Sequence, residues 1–514
     1  MGTYYPKNSS VSASVCKLEQ NKDQKVSSSS DSVAPAVKSK PSTTVAETKN
    51  TIEPDTPESS PAAELSAEIV PVAFDEKDEP IRLASKTSTT EEPPQIPLPE
   101  DSNAGQSPNG DVMSLEELES IALANNPAIK ELAATTQKAA GFRTQVTRKP
   151  NPTVGYQAMQ LADQGTDQHV AFFNQEFVTG GKLELNHRVL NAALAAQLRE
   201  LEAQRLRVTT DIRVRFYAAL ALQRQLELIN DFIIVAENGL EIAKLRKEAG
   251  ESSQVDVLQA NVQLGEVRLV QQTTQAKLSA IWRELSAVAG VPDFPVTRLE
   301  GTLPEETPSR EWEQLADMMI STSPEYAAAQ SRISRARAKL QREIKQPIPN
   351  VQMQLGAGVD NATNSGMLNL QFGVPLPIHN DNSGNICAAQ AELNRAYQEA
   401  RRIQNNIKAR LAQVSREYDS AAASVNQYAN NILPSASSSM DLAEEAYQAG
   451  QVSFLQVLVS RKTYYDTNLL YVSAQADLAA AQAKIDGFVL TGALDSVRDE
   501  SGDDSLRGHT FGQQ

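Results

Sequence analysis

The feature that most constrains this chain is a break in a long helical stretch, which the sequence contains twice. The first copy reads RKEAGESSQVDVLQA and the second, 200 residues later, reads AYQAGQVSFLQVLVS. Gly250 and Ser253 of the first copy recur as Gly450 and Ser453 of the second. Other landmarks recur at a spacing of 197 residues: Pro127 as Pro324, Pro150 as Pro347, Pro152 as Pro349, and Gly290 as Gly487. Landmarks that keep one spacing over so long a stretch indicate a tandem duplication.

The duplication divides the chain into five segments. The first repeat covers 113–290 and the second covers 311–488, with a linker at 291–310. Residues 1–112 are rich in Ser, Thr, Pro, Glu and Lys, with too few large apolar side chains to offset the entropy of ordering. Residues 489–514 have a similar composition. We therefore expect a disordered extension at 1–112 and a disordered tail at 489–514.

Each repeat predicts the same order of elements: helix, strand, strand, long helix, break and return helix. The leading helix of the first repeat begins with a capping box of Ser114 and Glu117 and is expected to run to 148. The long helix covers 183–249, which is 67 residues, or roughly 100 Å at 1.5 Å per residue. Its apolar residues keep the 4-3 spacing of a coiled coil. The second long helix covers 385–449, where Pro434 predicts a kink.

The two strands of each repeat are predicted from alternation of apolar and polar residues. In the second repeat, 351–359 and 368–378 alternate strictly, which indicates strands with one apolar and one polar face. The matching strands of the first repeat, near 152–161 and 169–179, alternate less regularly. The expected fold class is therefore mainly α with a small β part, built from long coiled-coil helical hairpins in two tandem repeats plus four strands.

Composition argues against several functions. A net charge of −16 disfavours nucleic acid as a partner, because phosphate binding needs clustered cations. Two cysteines and four scattered histidines offer no metal-ligand spacing and no catalytic constellation, so we expect no catalytic residue, cofactor or metal site. The sequence has no run of about 20 apolar residues that predicts a spanning helix. Its first residues also lack the apolar segment of a signal peptide.

Strands with one apolar face suit a transmembrane β-barrel, but four strands are too few to close one, so several protomers must contribute. With this requirement in place, the sequence resembles the TolC family of bacterial outer-membrane efflux proteins. The resemblance covers 113–488. It rests on the duplicated plan, the stretches QEFVTGGK and PLPIHNDNSG, and the two glycine-centred breaks.

The resemblance implies a homotrimer in which each protomer gives four strands to one twelve-stranded transmembrane β-barrel, in contact with outer-membrane lipid. The helices would then form a hollow periplasmic tunnel. Such proteins are exit ducts and not enzymes. They accept cargo from an inner-membrane efflux pump of the resistance-nodulation-division type through a periplasmic adaptor protein.

Three rival interpretations remain beside this one. The strand-to-helix stretches resemble the branch that serves cobalt-zinc-cadmium or copper-silver pumps, so heavy-metal cations are the favoured cargo. A drug or small-molecule export duct of the same family is the first alternative. A soluble structural coiled-coil protein is the second, although the alternating strands count against it. A periplasmic adaptor is the third, but it would need one hairpin where this chain has two.

The resemblance also gives the two breaks a role as helix-turn-helix tips at the periplasmic mouth of the tunnel. There, Gly250, Ser253, Gly450 and Ser453 would lie in the turns that meet the adaptor. The same two glycines equally fit a simpler role, since a C-cap residue in the left-handed conformation is most often glycine.

Two further residues match family positions that hold the closed mouth through polar links between neighbouring helices. These pore-mouth gating residues are Asp256 and Tyr447. The sequence departs from the family at two points: a family arginine falls on Val452, and an acidic residue of the second tip is a glutamine. Arg246 or its neighbour Lys247 would then supply the cation. Alternatively, Asp256 is a helix N-terminal acid favoured by the helix dipole, and Tyr447 is a packing residue.

Overall fold

The computed structural model describes residues 112–161, 165–292 and 294–501. The extension predicted to be disordered, 1–112, lies outside these ranges except for its last residue. The first repeat contains β1 (Val112–Met113), α1 (Leu115–Asn125), α2 (Pro127–Gln145), β2 (Thr153–Met159), β3 (Gln168–Phe177), α3 (Lys182–Glu248) and α4 (Gln254–Ala289). The second contains, after β4 (Arg298–Leu299), α5 (Trp312–Thr322), α6 (Pro324–Lys345), β5 (Val351–Asp360), β6 (Ser365–Gly373), α7 (Ser383–Gln427), a π-helical turn (Tyr428–Ile432), α8 (Leu433–Gln448) and α9 (Phe454–Asp486). The predicted fold class and order of elements are confirmed.

The leading helix of each repeat is two helices, where the sequence predicts one. In the first repeat the break falls between Asn126 and Pro127, and Asn126 has an extended backbone with φ −57° and ψ 124°. Its side-chain oxygen accepts hydrogen bonds from the N–H groups of Ala128 and Ile129 at 3.0 and 3.2 Å. Its Nδ2 donates to the carbonyl of Val288, 162 positions away, at 2.8 Å. The break therefore has a local cause, an N-cap asparagine followed by a proline at the first helical position, and it recurs before Pro324 in the second repeat. The long-range bond ties this break to α4.

The two long helices differ at one point. α3 runs without interruption for 67 residues, the length predicted from the sequence. In the second repeat, the predicted kink is the π-helical turn, which ends directly before Leu433 and Pro434. A proline has no N–H to donate to the carbonyl four residues earlier. The helix accommodates this loss by forming one wider π-helical turn, in which the Leu433 N–H donates to the carbonyl of Tyr428, five residues earlier.

The four longer strands form one antiparallel sheet in the order β2-β3-β5-β6, with β2 and β6 at its edges. One face, which we call the apolar face, carries most of the exposed large apolar side chains of the sheet: Val154, Tyr156, Phe173, Phe177, Leu355, Val359, Leu368, Leu370 and Phe372. The opposite face, which we call the polar face, has rows across the strands such as Thr153, Asn174, Gln354 and Gln371. The predicted alternation is confirmed for 351–359 and 368–373. The prediction that the second of these strands continues to 378 is wrong, because β6 ends at Gly373.

The two largest hydrophobic clusters are equivalent, one in each repeat, and they lie where the short helices and the return helix pack on the long helix. The first cluster includes Met113, Leu118, Ile212, Phe216, Trp282 and Leu285. The second includes Met319, Ile407, Leu411, Tyr418, Leu478 and Ile485. None of the helices within the described ranges combines the length and hydropathy needed to cross a membrane.

Residues 489–501, which we call the strap, correct the prediction of a disordered tail. Ala493 is fully buried in the first core cluster. The Asp211 carboxylate of α3 accepts a hydrogen bond from the Ala493 N–H at 2.8 Å, and Arg332 of α6 donates to the carboxylate of Glu500 at 2.6 Å. Buried polar side chains on helices need hydrogen-bond partners. The strap is therefore ordered despite its polar composition, because side chains of α3 and α6 form hydrogen bonds with it.

A further contact anchors the end of the strap. The Lys138 ammonium and the Ser501 hydroxyl hold the pKa of the Asp499 carboxyl at about 2, below its ordinary value of 3.8. A depressed carboxyl pKa means that this contact stabilises the fold above pH 3.8 and that its contribution is lost as the pH falls toward 2. The rest of the tail, 502–514, lies outside the described residues.

Candidate functional site

Both helix breaks close with the same pair of backbone hydrogen bonds, a Schellman motif. Gly250 lies at φ +77° and Gly450 at φ +71°, the left-handed region that glycine tolerates best. The Gly250 N–H donates to the carbonyl of Lys247 at 3.0 Å, and the next N–H donates to that of Arg246 at 2.9 Å. The second break repeats both bonds at 3.0 and 2.8 Å. The C-cap interpretation of both glycines is therefore correct, and we call 246–256 and 446–456 the paired tips.

Each turn ends at a serine N-cap, but the two caps differ. The Ser253 hydroxyl accepts from the Asp256 N–H at 3.3 Å, and the Asp256 carboxylate accepts in return from the Ser253 N–H at 2.9 Å. Ser453 accepts from the Gln456 N–H at 3.4 Å, the first half of such a capping box. Bonds from the Ser253 N–H and the Ser252 hydroxyl lower the pKa of the Asp256 carboxyl. The structure thus places Asp256 in the role of a helix N-terminal acid.

A cation and an aromatic ring join the two tips. Arg246 Nη1 donates to the hydroxyl of Tyr447, and the guanidinium carbon lies 4.6 Å from the centre of the tyrosine ring. The centre of the Phe454 ring lies 5.7 Å from that of Tyr447. Tyr447 therefore meets one of the two cations expected at the tips, whereas the hydrogen bonds of Asp256 are made within its own cap.

The paired tips form one packed unit within the protomer. Ala243 and Ala260 of the first hairpin are buried against Leu458 of the second. The Gln263 amide donates to the carbonyl of Leu458 at 3.3 Å. The two hairpins are therefore joined beside the tips through one hydrophobic cluster.

An apolar groove runs along the two return helices beside the tips, and we call it the tip groove. Its apolar walls are Val255, Leu258 and Val262 of α4 together with Leu455 and Val459 of α9. Their exposed fractions run from 41% to 60%, and clustered exposed apolar side chains mark interaction sites. The sequence analysis missed this groove. The sequence does contain a signal for it. Val255, Leu258 and Val262 form a second apolar stripe on α4, spaced by three and four residues, beside the stripe that is buried in the core.

The sequence matches the family described as outer membrane efflux protein over residues 118–291 and again over 315–488. The chain belongs to this family. Both matched ranges coincide with the duplicated part of the sequence, and the strap lies beyond them. Membership places the chain among channels of the outer membrane with periplasmic tunnels, and not among enzymes.

Two curated proteins are similar to the chain. The cobalt-zinc-cadmium resistance protein CzcC of Cupriavidus metallidurans is 26% identical over 379 residues, which cover 73% of this chain and 89% of that protein. The pyoverdine export outer membrane protein OpmQ of Pseudomonas putida is 24% identical over 317 residues, which cover 58% of this chain and 65% of that protein.

Solved channel structures share the fold. The outer membrane protein VceC of Vibrio cholerae superposes with a TM-score of 0.60 at 19% identity, over 73% of this chain and 96% of that one. CusC, a transmembrane channel, superposes with a TM-score of 0.60 at 16% identity, over 74% and 92% of the two chains. The long hairpins and the sheet therefore have the arrangement found in these channels.

Two sequence stretches that carried the family resemblance, QEFVTGGK and PLPIHNDNSG, meet in a buried polar cluster between the sheet and the helices. We call this cluster the junction network. Arg342 of α6 is only 1% exposed and donates to Glu343 at 2.7 Å and to Asn186 of α3 at 3.2 Å. The Asn382 amide, from the second stretch, donates to the other Glu343 oxygen at 2.9 Å. The sequence analysis did not single out these residues, because their pairing joins distant segments.

The first stretch supplies the other half of the junction network. The Lys182 ammonium donates to the Asn350 side chain at 3.1 Å, and the Asn350 amide donates to Glu176 at 2.7 Å. Burial, and then the positive charge of Arg342, lower the pKa of Lys182. Within the described ranges, no group of three or more His, Cys, Asp or Glu side chains is arranged to hold a metal ion.

Proposed function

We propose that this chain is the exit duct of a tripartite efflux system, that it works as a homotrimer, and that it conducts heavy-metal cations passively. The observation that carries the proposal is the sheet, which exposes an apolar face and ends in two strands with open edges. β3 and β5 have 10 residues and β6 has 9, which suits tilted strands that cross a bilayer. Open edges are not tolerated in lipid, so closure with other protomers into a twelve-stranded barrel satisfies them.

Two observations support heavy-metal cations as the cargo: the name of a similar protein and the charge of the strands. CzcC is named for cobalt-zinc-cadmium resistance. The four longer strands contain no lysine and no arginine, and the polar face carries an acid, Asp360, at the end of β5. One such acid from each protomer would form an acidic ring, and acidic rings favour cations. A small-molecule duct is the alternative, supported by the pyoverdine-export relative.

The proposed partners are a periplasmic adaptor protein and an inner-membrane pump of the resistance-nodulation-division type. The adaptor contact would be formed by Gly250, Ser253, Gly450 and Ser453. In each repeat, these residues lie in the turn that joins the long helix to the return helix. The tip groove supports the same assignment. An apolar groove between two helices accepts the apolar face of another helix.

We also propose that the Arg246–Tyr447 pair helps to hold the paired tips in a closed arrangement. Replacing Tyr447 by Phe removes the hydroxyl and keeps the ring, whereas Arg246→Ala removes both the hydrogen bond and the cation–π contact. A hydrogen bond to a charged group contributes about 1.5–3 kcal/mol, so Tyr447→Phe should shift the opening equilibrium by roughly ten-fold or more. We expect both variants to raise the open probability in planar bilayers, Arg246→Ala by more.

Asp256 needs a control that separates a gate from a helix cap. Asp256→Ala loses the carboxylate and the capping box, whereas Ser253→Ala loses the cap hydroxyl and keeps the carboxylate. If Asp256 also contributes to closure, Asp256→Ala raises conductance and Ser253→Ala does not. Equal conductance in the two variants would leave Asp256 as a cap alone.

A complementation experiment tests the proposed function. A double-membrane bacterium that lacks its own metal-efflux duct should regain cobalt, zinc or cadmium resistance when it produces this chain with the cognate pump and adaptor. The protein should be recovered from the outer membrane as a trimer that dissociates on heating. Gly250→Val and Gly450→Val should assemble as wild type, because the left-handed penalty is roughly 1–2 kcal/mol per residue, yet lose resistance and adaptor crosslinking.

The glycine Gly265 of α4 provides the matched control, since a Cβ there also meets no neighbour within 4 Å but the position lacks a positive φ. Gly265→Ala should therefore retain resistance. Full resistance in both tip variants would remove the adaptor contact from the proposal. A soluble monomer released from intact envelopes would contradict the duct itself.

A further inference from the structure

An exposed apolar segment follows the last strand of the sheet. Residues 374–378, which we call the finger, lead from β6 toward α7 and lie outside both elements. Three of their side chains are large and apolar: Val374 is 47% exposed, Leu376 74% and Ile378 75%. Clustered apolar side chains with this exposure mark a surface that another molecule covers.

The first repeat makes the equivalent connection with a shorter segment. Residues 178–181 join β3 to α3, whereas residues 374–382 join β6 to α7. In the first repeat, Gly180 and Gly181 turn the chain at φ +71° and +68°, a region that glycine tolerates best. The longer connection is therefore not required to pass from strand to helix, and the finger needs a different explanation.

The backbone of the finger suits an apolar environment. Pro375 and Pro377 have no N–H group, and the Ile378 N–H donates to the carbonyl of Leu376 at 2.9 Å. Unsatisfied N–H groups are costly in hydrocarbon, because no water is present to accept their hydrogen bonds. Three of the five residues of the finger therefore carry no free donor that would oppose entry into lipid.

The finger also continues the apolar face at the end of the sheet that joins the helices. The two-residue spacing that places Leu370 and Phe372 on this face continues through the apolar residues of the finger. β6 itself has 9 residues. At about 3.4 Å per residue and a tilt of about 45°, such a strand spans about 22 Å, whereas the apolar band of a transmembrane barrel is about 25 Å tall. The finger supplies apolar side chains where β6 ends.

Cations lie where the helices give way to the strands. Arg148 and Lys345 are exposed and hold equivalent positions in the two repeats, two residues before Pro150 and Pro347. Long basic side chains lie along apolar surface and place their charge at the headgroups of a bilayer. A surface that combines apolar side chains with nearby cations is complementary to a phospholipid, which combines acyl chains with a phosphate.

We propose that the finger inserts into the periplasmic leaflet of the outer membrane and contacts the acyl chains of its phospholipids. The inference rests on the proposed function, in which the apolar face meets lipid. One finger from each protomer would then fix the depth of the barrel in the bilayer. Movement of the protein toward the periplasm would carry Leu376 and Ile378 into the headgroups and expose apolar surface to water.

The test places a tryptophan on the finger of the full-length trimer. The Leu376→Trp protein is reconstituted into phosphatidylcholine vesicles, and the fluorescence that it gains over wild type is measured with and without brominated acyl chains. Bromine quenches an indole only at close range. We expect bromine near the headgroup end of the chains to remove most of the added fluorescence, bromine near the bilayer centre to remove less, and aqueous iodide to remove little.

The matched control is Val296→Trp. Val296 is 74% exposed and follows a proline, as Leu376 does, but it belongs to the connection between α4 and β4. Its added tryptophan should be quenched by iodide and not by brominated lipid. A second reference, Leu370→Trp in the middle of the apolar face, should be quenched most strongly by bromine near the bilayer centre.

The outcomes are distinct. Quenching of the finger tryptophan by iodide alone would overturn the inference. Protection from both quenchers would also overturn it and would place a neighbouring protomer on the finger. If Leu376→Trp does not assemble, Ile378→Trp tests the same contact. A Leu370→Trp protein that no brominated lipid quenches would instead refute the membrane barrel of the proposed function.

Discussion

An arginine at Leu370 should destabilise the membrane-inserted protein by roughly 2–4 kcal/mol, whereas an arginine one position later, at Gln371, should be tolerated. Leu370 lies on the apolar face opposite Leu355, near the middle of the paired rows, and is 59% exposed in the protomer. Gln371 lies on the polar face opposite Gln354. The cost at Leu370 is that of placing a cation against lipid near the bilayer midplane, and it falls toward zero near the interfaces.

The measurement is urea unfolding of the protein in lipid vesicles, with the Gln371→Arg protein as the matched control. Both variants add the same side chain to the same strand, so strand propensity and expression are balanced between them. Equal unfolding midpoints would argue against a lipid-facing apolar face. A larger loss at Gln371 would indicate that the two faces have been assigned the wrong way round.

Removing one member of the junction network should have the largest effect of any single substitution. Arg342→Met leaves Glu343, only 5% exposed, without its cation. Breaking a buried ion pair on one side destabilises by roughly 3–5 kcal/mol, because the remaining charge is buried and unpaired. Joint replacement by Arg342→Met and Glu343→Leu should recover a large part of this loss, since well-packed apolar pairs replace buried ion pairs at little cost.

The control is a solvent-exposed arginine–glutamate pair of the same protein. Arg188 and Glu184 of α3 pair at 3.1 Å, with side chains 60% and 63% exposed. Arg188→Met should change the unfolding free energy by at most about 1 kcal/mol. Denaturant unfolding of the three variants beside wild type provides the comparison. A double variant as unstable as Arg342→Met would show that the network acts through Asn186 and Asn382 and not through the charge pair.

The paired tips show how far local patterns determine a candidate site. Gly250 and Gly450 were predictable because a left-handed turn selects glycine whatever surrounds it. Ser253 and Asp256 were predictable because a capping box involves residues three apart. The pairing of Tyr447 with Arg246 was anticipated only as one of two choices. It joins side chains 201 positions apart, and no local rule ranks Arg246 above Lys247.

The sequence by itself determined the duplication, the length of α3, the alternation of β5 and β6, and the turns at the tips. Each of these depends on a period or a backbone preference that acts within a few residues. Only the tertiary structure decided the order of the strap at 489–501 and the burial of Arg342. In both, a polar group finds its partner more than 100 positions away. Such partners lower the free energy only once the hairpins have packed, so composition and periodicity carry no record of them.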